Sequence, residues 1–231
     1  MRKRFFFLLL PCFSLLFASA QKLMRDSLLR AKDSILLAKE TELRAQFHAD
    51  SLKVEKEFAE KTKWKNIEAR EQFPALKGDE YSGIIPVSEV TETPDPNINY
   101  KILFEVTVNN PDSTAKNINS SLDEVARVIN LHVASGIPAK RILPVIVVHA
   151  AALNALKTNE AYQKKYKTDN PNLKLIADLQ KMGAKFIACG QAMEFFEVKK
   201  EELLPDVKVS LTAQTVLTHY QLKGYVWHPV Q

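Results

Sequence analysis

Two rhythms of apolar and polar positions divide the chain. Between residues 22 and 72, Leu29, Leu36, Leu43, Phe47, Val54 and Phe58 recur at spacings of 7, 7, 4, 7 and 4. From Leu36 on, this is an 11-residue period of about 3.67 residues per turn, which keeps one stripe on a nearly straight helix. The segment has no glycine and no proline and is rich in Ala, Leu, Glu, Lys and Arg, all good helix formers. Glu40 with Arg44, and Glu57 with Lys61, make favourable i,i+4 pairs off the stripe. The pattern predicts a long amphipathic helix over 21–72, or two helices broken near "HADS". Its stripe packs on the chain's own globular part or on another subunit, and periodicity alone does not choose.

After residue 100 the apolar positions come in short continuous runs. "YKILFEVTV", "RILPVIVVHA", "AKFIAC" and "GYVWHPV" read as strands, with a further short strand in "VKVSLTAQTVLTHYQLKG". Between them lie helical segments. "SSLDEVARVINLHVASG" starts at Ser120 or Ser121 as cap and ends at Gly136. "LNALKTNEAYQKKY" is a second helix. "NPNLKLIADLQKMG" has Pro171 near its first turn and Gly183 at its end, and a last helix, after the short strand in "VKVSLTAQTVLTHYQLKG", stops at Gly224. Near-continuous apolar strands alternating with helices predict an α/β, Rossmann-like domain over 100–231. It has a mainly parallel sheet with helices on both faces, and the long helix precedes it. Residues 73–99 hold four of the 11 prolines and read as an irregular connector.

The N-terminus changes the reading of charge. Arg2, Lys3 and Arg4 precede an apolar run to Phe17, and Ala18-Ser19-Ala20 follows as a small-residue cleavage site. This is the pattern of a secretory signal peptide over 1–20. Its apolar run is shorter than the roughly 20 residues that span a bilayer. Cleavage after Ala20 would remove three basic residues and no acidic one from 32 against 27, lowering the net charge from +5 to +2. The expected product is a soluble, exported protein, periplasmic or secreted, with no integral membrane segment. Its charge gives no support for a nucleic-acid partner. Cleavage also removes Cys12 and leaves Cys189 as the single cysteine, so no disulfide and no cysteine zinc cluster can form within the chain.

Candidate chemistry follows from the sheet. Ligands of open α/β sheets bind beyond the carboxyl ends of the strands. That rule selects Asn109 and Asn110 after the first strand, His149 after the second, and Cys189 after the third. Gly190 permits a tight turn after Cys189, and Gln191 opens "QAMEFFEV", a short helix whose N-terminus would favour an anionic sulfur. The same cysteine also reads as a small buried hydrophobe ending a strand, and Glu194 and Glu197 disfavour thiolate. His149 is placed to move a proton or orient a substrate. No H-x-x-x-H or H-E-x-x-H pair supports a metal site, and no glycine-rich phosphate loop or nucleophile elbow is present. No cofactor is implied. The aromatic residues Phe195, Phe196, Tyr220, Tyr225 and Trp227 read as core or subunit-interface groups.

Four stretches, "ILPVIVVHAAALNAL", "NPNLKLIADLQKMGAKFIACGQAM", "LLPDVKVSLTAQTVL" and "LKGYVW", together resemble the DsrE/DsrF-like family, which includes sulfur-relay proteins. The resemblance covers about residues 100–230. It implies a Rossmann-like domain that assembles into homo-oligomers. It also implies a strand-end cysteine, here Cys189, that accepts and donates persulfide sulfur. Its partner would be a donor or acceptor protein or a small sulfane-sulfur compound. The usual "VVHG" stands here as Val147-Val148-His149-Ala150, so the glycine is replaced. The competing expectation is a non-catalytic oligomeric small-ligand-binding or scaffold protein whose rim Cys189 merely lines.

Overall fold

A computed structural model describes residues 10–79 and 81–230, with side chains from residue 17 onward. The chain forms two units, Met1–Asn66 and Ile67–Gln231. The expected signal segment lies outside the described residues through residue 9.

Helix α1 spans Leu10–Glu68 and runs unbroken through "HADS", so the single-helix alternative holds. Every residue from Phe17 to Asn66 is exposed, and the stripe residues stand 48–77% open. The Glu40–Arg44 pair forms at 2.8 Å with both side chains in solvent, where such a pair adds only about 0.3–0.5 kcal/mol. Among the described residues no helix is long and apolar enough to cross a membrane.

The second unit is built on five strands: β1 (Tyr100–Val106), β2 (Ile142–Val148), β3 (Lys185–Cys189), β4 (Lys208–Ser210) and β5 (Val226–Val230). They form one sheet in the order β4-β3-β2-β1-β5, parallel throughout. Parity then sorts the side chains. Ile102, Phe104, Val106, Ile146, Val148, Phe186 and Ala188 enter a large core closed by α2 (Ser120–Ala134), a 3-10 segment at Ala150–Leu156 and α4 (Leu173–Lys181). Leu103, Val145, Val147, Ile187 and Cys189 face the other way, onto Ala213, Val216 and Leu217 of α6 (Ala213–Leu222). Burying each large aliphatic or aromatic side chain here contributes roughly 1.5–3 kcal/mol.

Three local expectations are corrected. The cap of α2 is Asn119, whose side-chain oxygen accepts from the N–H groups of Ser121 and Leu122; neither serine fills that role. The stretch "LNALKTNEAYQKKY" is not one helix. Lys157 bridges to Leu203 and the Thr158 N–H donates to the Glu202 carbonyl, so the chain is extended between the 3-10 segment and α3 (Asn159–Tyr166). The first strand ends at Val106, which leaves Asn109 and Asn110 in the loop beyond it.

The first half of the proline-rich stretch belongs to the domain. Leu76 is part of the large core, and Ser82 and Ile84 are buried. Two polar side chains of α2 hold it. The Asn130 oxygen accepts from the N–H groups of Ala75 and Leu76, and its amide donates to the carbonyls of Leu76 and Ser82. Asp123 accepts from the N–H groups of Asp79 and Tyr81. Burial pushes the Asp123 carboxyl above the ordinary carboxylate range, against the downward pull of those N–H groups. Removing Asn130 strands buried backbone groups, each costing about 1–3 kcal/mol when unpaired. Asn130→Ala is therefore expected to lower stability by about 3 kcal/mol and to open residues 73–85 to protease, read by urea denaturation and limited proteolysis.

Candidate functional site

Parallel pairing brings the carboxyl ends of β1, β2 and β3 to one rim. Val147 lies against Ile187 and Val148 against Ala188. Carried one step further, that register sets His149 opposite Cys189. The His149 N–H still donates to the Val106 carbonyl at 3.0 Å, so the backbone there remains tied to β1. By parity His149 and Cys189 both belong to the α6 side of the sheet.

Cys189 lies at the strand end but is not open to solvent there. It is 5% exposed and sits in the cluster under α6. It is the N-cap residue of α5 (Gly190–Phe195), but its thiol makes no capping bond there. Sγ instead accepts the backbone N–H of Ala213, the first residue of α6, at 3.2 Å. The helix that meets the sulfur is thus not the one that follows it in sequence. Gly190 explains the close fit. A Cβ at this position would lie 2.6 Å from the Ser210 carbonyl oxygen, so only glycine lets the β4–α6 loop pass. The Gln191 N–H donates to the Leu211 carbonyl at 3.1 Å and pins the same loop; its side chain is in solvent.

His149 is half-buried, and its Nε2 lies 2.9 Å from Glu105 Oε1. The other carboxylate oxygen accepts the indole N–H of Trp227 at 3.0 Å. No hydrogen bond joins His149 to Cys189 among the described residues. The residue after His149 takes φ +54°, so Ala150 keeps the left-handed backbone that a glycine would supply there. An alanine pays about 1 kcal/mol for that conformation. Ala150→Gly is expected to raise stability by about 1 kcal/mol, read as a shifted denaturation midpoint.

The asparagines are committed to the protein itself. Asn110 accepts the Ser120 N–H and donates to the Ile118 carbonyl, bracing the entry to α2. Asn109 donates to the Asn110 carbonyl and to the Tyr166 hydroxyl. Neighbouring Tyr162 donates to the Ala115 carbonyl, and burial pushes its pKa up to about 12. The rim at β1 is therefore built of satisfied polar groups. Among the described residues no three His, Cys, Asp or Glu side chains are grouped to hold a metal ion.

Glu105 escaped the sequence reading because it falls inside the apolar run "YKILFEVTV". A lone carboxylate in a central strand was the available signal, since such a group needs partners when buried. Trp227, placed with the core or interface aromatics, is 47% exposed, while Phe195 is largely open to solvent.

The model of the DsrE/DsrF-like family matches residues 101–227. The chain belongs to this family. At family level, membership suggests a sulfur-relay role. No curated protein matches the chain. Among solved structures, the protein of unknown function MTH1491 from Methanobacterium thermoautotrophicum is similar, at 17% identity and a TM-score of 0.42. The match covers 57% of this chain and 99% of that one.

Proposed function

We propose that this is an exported sulfur-handling protein in which Cys189 accepts sulfane sulfur and passes it on. The observation that carries the reading is the Ala213 N–H donated to Sγ at the N-terminal end of a ten-residue helix. A backbone donor and a positive dipole end are the partners an anionic sulfur needs. In the step proposed, Cys189 Sγ attacks the outer sulfur of a persulfide R–S–SH. The Sγ–S bond forms as the donor's S–S bond breaks, and the electron pair leaves on R–S⁻. His149 takes the thiol proton and returns it to R–S⁻, giving Cys–S–SH and R–SH with no net oxidation. Release to an acceptor thiol is the same exchange in reverse.

Exposure of polysulfide-treated protein to mass spectrometry tests this. The expected result is added sulfur on Cys189 in the wild type and none on that site in Cys189→Ser, with total uptake lost. The 5% exposure of the cysteine favours a second reading, an oligomeric ligand-binding or scaffold protein with a structural thiol. Equal uptake by Cys189→Ser and wild type would decide for it.

The assembly proposed is a homo-oligomer in which the α1 stripe of one copy packs on that of another. Leu36, Leu43, Phe47, Val54 and Phe58 are each more than half exposed on α1, and apolar surface gathered into one stripe marks association. Leu43→Lys with Phe47→Lys should lower the sedimentation coefficient of the full chain toward that of a monomer. An unchanged coefficient would remove the stripe from the assembly.

A further inference from the structure

We propose that Glu105 is a positioning residue for His149, fixing which ring nitrogen carries the proton; this rests on the sulfur-transfer reading above. Glu105 is the carboxylate of β1, and its same-face neighbours Leu103 and Val147 are buried. Its side chain is 17% exposed and that of His149 27%. Both oxygens are engaged: Oε1 with His149 Nε2 at 2.9 Å and Oε2 with Trp227 Nε1 at 3.0 Å. An indole nitrogen only donates, so Oε2 accepts. An ionised carboxylate offers acceptors alone, so Oε1 accepts too and Nε2 holds the proton. In the neutral ring Nδ1, with no partner among the described residues, is then the lone-pair nitrogen. That nitrogen is the one able to take a proton from a thiol.

The three elements that make this arrangement are adjacent strands. Glu105 pairs with Val147 and Pro229 in register, and Leu103 with Trp227. Residues of equal parity on β5, β1 and β2 therefore present Trp227, Glu105 and His149 in sequence across one face, and the β2–β3 register continues the line to Cys189. The left-handed Ala150 turns the chain directly after His149, the residue that follows β2, so its backbone is fixed on that side as well. Trp227 acts one step further out. Its N–H holds the second oxygen and so stops the carboxylate from turning away from the ring.

The test uses the full chain in two arms. In the first, 15N–1H correlation spectra report the His149 tautomer, assigned by its loss in His149→Gln. The expected wild-type signal is Nε2–H with an unprotonated Nδ1. In Glu105→Ala the ring should show exchange between tautomers. In the second arm, the initial rate of polysulfide sulfur uptake is measured for Glu105→Ala, Glu105→Gln, Glu105→Asp, Trp227→Phe and His149→Gln. Gln can accept with one oxygen only, so it cannot serve both N–H groups. The expected loss is about ten- to a hundred-fold for Ala and Gln, close to that of His149→Gln. Asp, which keeps the carboxylate, should recover part of the rate, and Trp227→Phe should lose the least. Wild-type rate in Glu105→Ala with a slow His149→Gln would overturn the proposal, as would a wild-type Nδ1–H tautomer. If the wild type takes up no sulfur, or Cys189→Ser takes up as much, the transfer reading falls. The tautomer arm then still decides whether Glu105 sets the ring.

Discussion

Parallel pairing of β1, β2 and β3 is the constraint from which the site follows. Because the strands point the same way, their carboxyl ends share a rim. Because side chains alternate, Glu105, His149 and Cys189 fall on one face of the sheet. A one-residue slip of β3 against β2 would turn Cys189 into the opposite core in place of Ala188 and Phe186, and part it from α6. Register is strongly specified here since both faces are buried. The large core fixes the even positions and α6 the odd ones, so a one-residue shift of β2 or β3 would exchange the two sets of side chains and misfit both layers.

Much of this architecture was legible in the chain because parallel strands buried on both sides leave continuous apolar runs. "RILPVIVV" and "AKFIAC" could be read with no knowledge of their partners. Helix ends set by glycine were legible for the same kind of local reason: Gly136, Gly183 and Gly224 each take positive φ after α2, α4 and α6. What local pattern could not show were contacts closed over long separations. Asn119 outcompetes Ser120 as cap because it also donates to the Val108 carbonyl and its own N–H is taken by Asn172. The proline-rich stretch looked like linker because its composition is linker-like. Its order comes from Asn130 and Asp123, more than 40 residues on.

The site divides along the same line. The positions of His149 and Cys189 came from strand ends and a topological rule, and the rim is where the sheet puts them. The partners of those residues lie elsewhere in sequence: Glu105 is 44 residues before His149, and Ala213 is 24 after Cys189. The short helix that begins at Gly190 was the obvious source of an N-terminal field at the sulfur. It fails because the thiol leaves the strand on the α6 face, while Met193 of α5 enters the large core on the other.

Burial and reactivity pull against each other at Cys189, and the packing decides how they can be reconciled. The thiol is covered by the N-terminal turn of α6 and by the Ser210–Thr212 loop. That loop is held by the Ser210 hydroxyl on the Ala188 carbonyl and by the Gln191 N–H on the Leu211 carbonyl. At Gly190 the loop backbone passes too close for even a methyl group, so small side-chain movements cannot open a path. On the proposed transfer, access to Cys189 comes from a joint displacement of the loop and the first turn of α6. Such local openings are ordinary for segments fastened by few bonds at a helix end. The same displacement would take the Ala213 N–H away from Sγ. On the proposed transfer, a persulfide formed in the open state, longer by one sulfur, meets the donor again only as the loop recloses. The bond that best suits an anionic sulfur is therefore also the one that gates its approach, and a loop that recloses faster than sulfur is transferred leaves the rate dependent on both its opening and the proton step at His149.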